Sequence, residues 1–336
     1  MNLDNFSYIL PEERIAQRAI RPRDSAKLLI LDNSITHTAF SHIIDYLSAG
    51  DILVMNETKV LHAKLVGKKL SGSPAEVVLL KKIKPLVYAC KIKTKNPHVD
   101  VRILFKNGEG IIIAQKSIDE FIIRLSSVKI LKDALLPTPP YIKRKVTNRE
   151  YQTVYSKKEG SFAAPSAGLH FTGRLLEKIR KKGITIVTLT LHISYGTFKN
   201  IDREIAHHHM DPEWFEISEY AAKTINNRKG KLIVVGTTTL KALESSAKNG
   251  KVYATKGFST LFIYPPFKFQ SDTDALITNF HLPKSTLLLL TCAFGGATRI
   301  LDAYYSAIKK KYRFYSLGDA MMIEKTKKDY RTAHKK

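Results

Sequence analysis

Leu232-Ile233-Val234-Val235-Gly236-Thr237-Thr238-Thr239 is the stretch that decides the fold. Four aliphatic residues closed by a glycine read as a fully buried strand, and the hydroxyl residues after it open a helix that runs through Ser246. Upstream, Thr172 caps a predicted helix with the apolar stripe Leu175, Leu176 and Ile179, which ends at Gly183. Ile184 to Ile193 then reads as another buried strand. Downstream, Ile300, Leu301, Tyr304 and Ile308 share one face of a last helix. Lys309-Lys310-Lys311 close it with cations at the negative end of its dipole. Strands and helices therefore alternate after about Arg149.

Between about Ala63 and Ser127 the pattern is different. Ala75 to Leu80, Leu86 to Ile92 and Val101 to Phe105 are short segments rich in β-branched and aromatic residues. Asn107-Gly108 before Ile111-Ile112-Ile113 is a hairpin signal, because both turn positions accept positive φ. Strands at this spacing predict a small antiparallel barrel. Leu136-Pro137-Thr138-Pro139-Pro140-Tyr141 is a stiff, extended way out of it. The expected architecture is a discontinuous α/β domain, residues 1–61 and 149–336, with a mixed sheet and helices on both faces. An antiparallel β-barrel, residues 62–148, is inserted into it.

With 336 residues, 44% of them hydrophobic, the chain can bury the cores of two domains. Met1-Asn2-Leu3-Asp4-Asn5 is neither basic nor apolar, so no signal peptide is expected. The apolar runs near Leu232 and Leu287 are too short to span a bilayer. Cys90 and Cys292 are the only cysteines and have no metal-ligand spacing. That fits a reducing cytoplasm and argues against an iron–sulfur cluster. Fifty-five Lys and Arg against 30 acids give a net charge of +25. Either this surface attracts a polyanion, or it reflects a composition rich in Lys throughout.

Ile277-Thr278-Asn279-Phe280-His281-Leu282-Pro283-Lys284-Ser285-Thr286 interrupts an otherwise apolar stretch with polar groups. Pro283, Ser285 and Thr286 suit a helix start; Asn279 and His281 are not explained by capping. Similar clusters are Asn56-Glu57-Thr58-Lys59-Val60, Tyr151-Gln152-Thr153-Val154-Tyr155 and Ala164-Pro165-Ser166-Ala167-Gly168-Leu169-His170-Phe171. Leu191-His192, Gly196-Thr197-Phe198, Val235-Gly236-Thr237-Thr238, Tyr312-Arg313-Phe314-Tyr315-Ser316 and Gly318-Asp319-Ala320-Met321 complete the set. In this order, from Phe6 to about Ile323, the chain resembles the S-adenosylmethionine:tRNA ribosyltransferase-isomerase family of queuosine biosynthesis.

The resemblance implies the same two-domain arrangement and an uncommon use of S-adenosylmethionine (AdoMet). Its ribosyl part is transferred to 7-aminomethyl-7-deazaguanine (preQ1) at the wobble position of a tRNA with a GUN anticodon. Epoxyqueuosine-tRNA, adenine and methionine result. The sulfonium acidifies the ribose C5′–H, a base removes that proton, and adenine leaves more readily if protonated. AdoMet is consumed as a substrate, so no cofactor and no metal are expected, and the enzyme is expected to act as a monomer. The chemistry needs a base, an acid and tight positioning.

His170, His192, His208 and His281 are the candidates for acid and base, His170 first and His281 second. Each also fits a hydrogen-bonded structural role. Asp319 is a possible carboxylate partner, although Gly318-Asp319 also suits a turn. Thr237 and Thr238 fit either a plain helix cap or a holder of the methionine carboxylate or a phosphate. Tyr195, Phe198, Tyr264 and Phe280 fit either core packing or stacking on adenine and the sulfonium. Asn279 and Glu213 complete the substrate-binding set. Arg21, Arg23 and Lys27 are candidates for tRNA phosphates or a solvated loop, and Arg313 for a carboxylate or phosphate partner.

The chain departs from the family pattern at several points. Asp211 stands in His208-His209-Met210-Asp211-Pro212-Glu213 where a second His is usual. Ser194 and Pro266 replace glycines, Lys241 replaces a common Arg, and Ser166 replaces Thr. Two other classes of function compete: a tRNA-binding protein without catalysis, and an AdoMet methyltransferase. The latter needs a glycine-rich turn after an early strand, and the first 60 residues contain none.

Overall fold

The computed structural model describes residues 2–198, 201 and 204–325, with the side chains of Thr197 and Phe198 outside the description. It divides into two compact units, Met1–Lys59 with Pro139–Lys336, and Val60–Thr138.

The first unit is built on a nine-stranded sheet. In chain order its strands are β1 (Lys27–Leu31), β2 (Ile35–Ala39), β3 (Ile52–Asn56), β4 (Thr185–Leu191), β5 (Glu213–Ile217), β6 (Leu232–Val235), β7 (Thr255–Ser259), β8 (Ala275–Asn279) and β9 (Ala320–Glu324). Their spatial order is β7-β5-β4-β3-β6-β8-β9-β1-β2. The centre, β4-β3-β6-β8, is parallel, and β9 turns antiparallel to it by pairing Asn279 with Ala320. Leu232–Val235 is buried at every position, as a parallel strand covered on both faces must be.

Period-two alternation sorts the sheet into two cores. Val54, Leu232 and Val234 face one side, with Leu240 and Leu243 of α3 (Thr237–Ser246) and Leu288, Ile300 and Tyr304 of the helices α4 (Thr286–Gly295) and α5 (Ala297–Lys309). The helix α2 (Glu219–Asn226) joins them through Ala221 and Ile225. Leu53, Met55, Ile233 and Val235 face the other side, against Leu175, Leu176 and Ile179 of α1 (Gly173–Lys181). Helices therefore cover both faces. Thr172 and Ser285 cap α1 and α4 through their hydroxyls, at 3.1 and 3.2 Å from the amides of Leu175 and Leu288. Among the described residues no single helix is long and apolar enough to cross a membrane.

The second unit is a closed six-stranded antiparallel barrel of Lys64–Lys69, Pro74–Lys84, Val87–Lys93, Arg102–Phe105, Gly108–Gln115 and Glu120–Leu125. Leu65, Val77, Ile103, Ile112, Phe121 and Ile123 are buried in it. The hairpin at Phe105 turns one residue earlier than Asn107-Gly108 predicts. Phe105 pairs with Gly108, leaving Lys106 and Asn107 as the turn. Gly108 itself begins a strand at φ 142°, where a Cβ would lie 2.7 Å from Ser126 Oγ.

The return crossing also comes earlier, at Pro139 rather than Arg149. Gln17 holds the intervening segment: its side chain bonds the Tyr141 carbonyl and the Lys143 amide, both at 2.9 Å, and its carbonyl accepts from Arg144 Nε at 2.8 Å.

Candidate functional site

A parallel sheet gathers the carboxyl ends of its strands at one edge. Here that edge carries Asn56 at the end of β3, His192 after β4, Gly236 after β6 and Asn279 at the end of β8. Asn56 ties two of the ends together, accepting the Leu191 amide at 3.1 Å and donating to the Leu191 carbonyl at 2.9 Å. β3 and β6 are neighbours at the centre of the sheet, flanked by β4 on one side and β8 on the other, so the four strand ends lie side by side.

A crevice of about 740 Å³ opens at the same edge. Thr237, Thr238, Asn279, Phe280 and His281 line it, joined by Tyr141, Ala164 to Ala167, Ile193, Leu287, Tyr315 and Ser316. Asn279 donates to the Tyr315 carbonyl at 2.9 Å, while its Oδ1 is buried with no hydrogen-bond partner. Phe280 contributes to the wall, but its ring is 0% exposed and packs on Tyr304, Tyr312 and Phe314. That ring belongs to the aromatic core.

The four histidines occupy different environments. His281 is buried, with Nε2 2.8 Å from Thr278 Oγ1, and burial holds its pKa down at about 3. Its backbone is clamped by two tyrosines, donating to Tyr304 Oη at 3.0 Å and accepting from Tyr8 Oη. His170 stacks on Phe40 at 4.9 Å and its Nε2 has no hydrogen-bond partner. Burial pulls its pKa to about 4, against the upward pull of the Asp319 carboxylate and of Asn279. It lies in a smaller crevice of about 260 Å³ with Arg23 and Glu150, which shares Ser316 with the larger one. The close approach that Gly168 permits is taken by the protein itself: a Cβ there would meet Tyr155 Oη at 1.9 Å.

His192 lines neither crevice. Its Nδ1 is 2.7 Å from Thr58 Oγ1, its ring stacks on Trp214 at 5.1 Å, and burial and then Lys158 lower its pKa. His208 packs on Phe262 at 5.0 Å. Tyr195 is half-buried and lines neither crevice, and the Phe198 side chain lies outside the described residues. Asp211, in place of the usual His, packs over Gly196, where a Cβ would lie 1.8 Å from its Oδ2.

Most of the charged candidates are held by the protein. Asp319, 1% exposed, accepts from the Lys27 amide at 3.1 Å, the Arg313 amide at 2.8 Å and Arg313 Nη2 at 3.0 Å. Arg23 donates to the carbonyls of Gln152 (2.8 Å) and Arg149. Lys27 Nζ caps α5 through the Lys310 carbonyl at 2.8 Å. Arg21 is exposed. Glu213, 2% exposed, is paired with Lys241 Nζ at 3.0 Å and accepts the Ser194 amide at 2.8 Å.

Tyr141, Tyr315, Ser316 and Lys241 are the site residues that sequence reasoning did not single out for a role. Tyr141 Oη meets Ser316 Oγ at 2.5 Å, and burial lifts its pKa to about 12. Lys241 carried a readable signal, a cation inside the apolar run Leu240, Ala242, Leu243.

Comparison with known proteins identifies the family. The model of the queuosine biosynthesis protein family matches residues 3–323. An S-adenosylmethionine:tRNA ribosyltransferase-isomerase of Sulfurihydrogenibium sp. is 45% identical, over 96% of this chain and 100% of that one. One from Thermosipho africanus is 44% identical, again over 96% and 100%. The crystal structure of an S-adenosylmethionine tRNA ribosyltransferase from Thermotoga maritima superposes with a TM-score of 0.56 at 30% identity, covering 95% of this chain and 99% of that one. The chain belongs to the S-adenosylmethionine:tRNA ribosyltransferase-isomerase family of queuosine biosynthesis.

Proposed function

We propose that the crevice at the carboxyl edge of β6 and β8 binds AdoMet and that its ribosyl part is transferred there to the aminomethyl group of a wobble preQ1. The observation that carries this reading is the convergence of Thr237, Thr238, Asn279 and His281, from two separate stretches of chain, on one crevice. The amides of Thr237 and Thr238 open α3 and suit a negatively charged group. Ile193, Leu282 and Leu287 offer an apolar surface to the nucleoside.

His170, in the adjoining crevice that shares Ser316 with this one, is the group we assign to proton transfer. Burial keeps its imidazole neutral, the form that accepts the C5′ proton the sulfonium acidifies. Burial also makes it a weaker base than a free imidazole, so the acidity of that proton has to supply the difference. Its conjugate acid is stronger than an ordinary imidazolium, so the proton is readily passed to departing adenine. The aminomethyl nitrogen then attacks the opened ribosyl unit, and ring closure expels methionine. The +25 charge supports a tRNA partner, and GUN anticodons follow from the family chemistry.

Incubation with AdoMet and a tRNA bearing wobble preQ1, followed by chromatography, tests this. Stoichiometric adenine and methionine are the expected products. S-adenosylhomocysteine would mean methyl transfer, and binding without turnover would mean a tRNA-binding protein; either overturns the reading.

A further inference from the structure

We infer that the buried Lys241–Glu213 pair reads the amino-acid head of AdoMet, Lys241 taking its α-carboxylate and Glu213 its α-ammonium. This rests on the AdoMet site proposed above. The pair lines a second, narrow cleft, walled by Met210, Phe262, Leu287 and Leu290. That cleft and the larger crevice have Thr237, Thr238 and Leu287 in common, so a ligand lying across the start of α3 reaches both. AdoMet has the matching division: an adenosine, and a short apolar arm ending in a zwitterion.

The charges need such a role. Lys241 is 4% exposed and its ammonium, with three donors, makes one hydrogen bond among the described residues, to Glu213 Oε2 at 3.0 Å. A buried ammonium held by one carboxylate oxygen does not recover its desolvation, so Lys241 is a poor device for stability. Thr237 and Lys241 are one turn apart on α3 and point the same way. The pair is neutral overall, which fits a zwitterion. A phosphate or another simple anion would meet the Glu213 carboxylate as well as the lysine.

The test compares AdoMet with decarboxylated S-adenosylmethionine, which keeps the sulfonium and adenosine and lacks the carboxylate. Adenine release is followed with preQ1-tRNA, using wild type, Lys241→Met and Lys241→Arg. Wild type should prefer AdoMet, and Lys241→Met should raise the KM for AdoMet roughly 10–100-fold, the worth of one charged hydrogen bond. The loss should fall on the carboxylate-bearing substrate, so that the preference for AdoMet over the decarboxylated substrate drops by a similar factor. Lys241→Arg should keep the preference. If Lys241→Met fails to fold, Lys241→Gln, neutral but polar, carries the same comparison. Equal losses on both substrates, or an unchanged preference for AdoMet in the neutral variants, overturn the inference while leaving the transferase reading standing. Wild type that releases no adenine from either substrate overturns both.

Discussion

Acid should destabilise this protein through two imidazoles. Burial holds the pKa of His170 at about 4 and that of His281 at about 3, against 6.5 for an exposed imidazole. As pH falls below about 6.5 the unfolded chain takes up a proton on each residue and the native state does not. Their contribution is therefore fully present above pH 6.5 and is lost on the way down to pH 4 for His170 and pH 3 for His281. Each pH unit in that window removes about 1.4 kcal/mol per imidazole. At pH 5 the loss is about 2 kcal/mol for each and about 4 kcal/mol for both, a large share of an ordinary domain's stability. Urea denaturation at pH 7.5 and 5.0 measures it, on wild type, His170→Gln, His281→Gln and the double variant. Carboxylates titrate alike in all four and cancel in the comparison. Each single variant should remove about half of the histidine-linked loss and the double variant nearly all of it. An equal drop in wild type and double variant would show that burial does not keep these rings neutral.

Three further outcomes are expected. His170→Ala should lower turnover roughly 10²–10⁴-fold with tRNA affinity nearly unchanged; a folded variant of normal turnover would remove His170 from the mechanism. Affinity for tRNA, measured by filter binding from low to moderate salt, should fall steeply on a log–log plot. A flat response would make the +25 charge a matter of composition. Asp319→Asn should cost about 3 kcal/mol in urea denaturation, because Arg313 loses its partner and an amide cannot accept all three N–H groups that Asp319 now receives. A loss of activity with unchanged stability would instead put Asp319 in the chemistry.

The fold was legible wherever local periodicity is strong. Leu232–Val235 can only be a buried strand, and Thr172 and Ser285 announce their helices through capping chemistry that acts within three residues. Pro137 to Tyr141 has no period, so nothing local shows that Gln17 binds the segment that follows. The hairpin turns at Lys106-Asn107, and the need for glycine at Gly108 comes from Ser126, on a different part of the chain, which a Cβ there would meet.

The same distinction governs the site. A basic residue in a loop is visible as charge, but its employment depends on partners far along the chain. Arg23 is spent on carbonyls near residue 150, and Lys27 on the end of a helix near residue 310. Phe280 looks like a ring beside a polar cluster, and only the packing of Tyr304, Tyr312 and Phe314 shows that it is core. The polar motifs fared better for a topological reason. Those at Asn56, His192, Gly236 and Asn279 each sit at the carboxyl end of a strand, and β4-β3-β6-β8 run parallel. Parallel pairing brings such ends together whatever their separation in sequence. Asp319 reaches the same edge by the opposite route, since antiparallel β9 begins where β8 ends, with Asn279 beside Ala320. Motifs scattered over more than 260 residues thus share one edge as a consequence of strand direction, before any side chain chooses a partner.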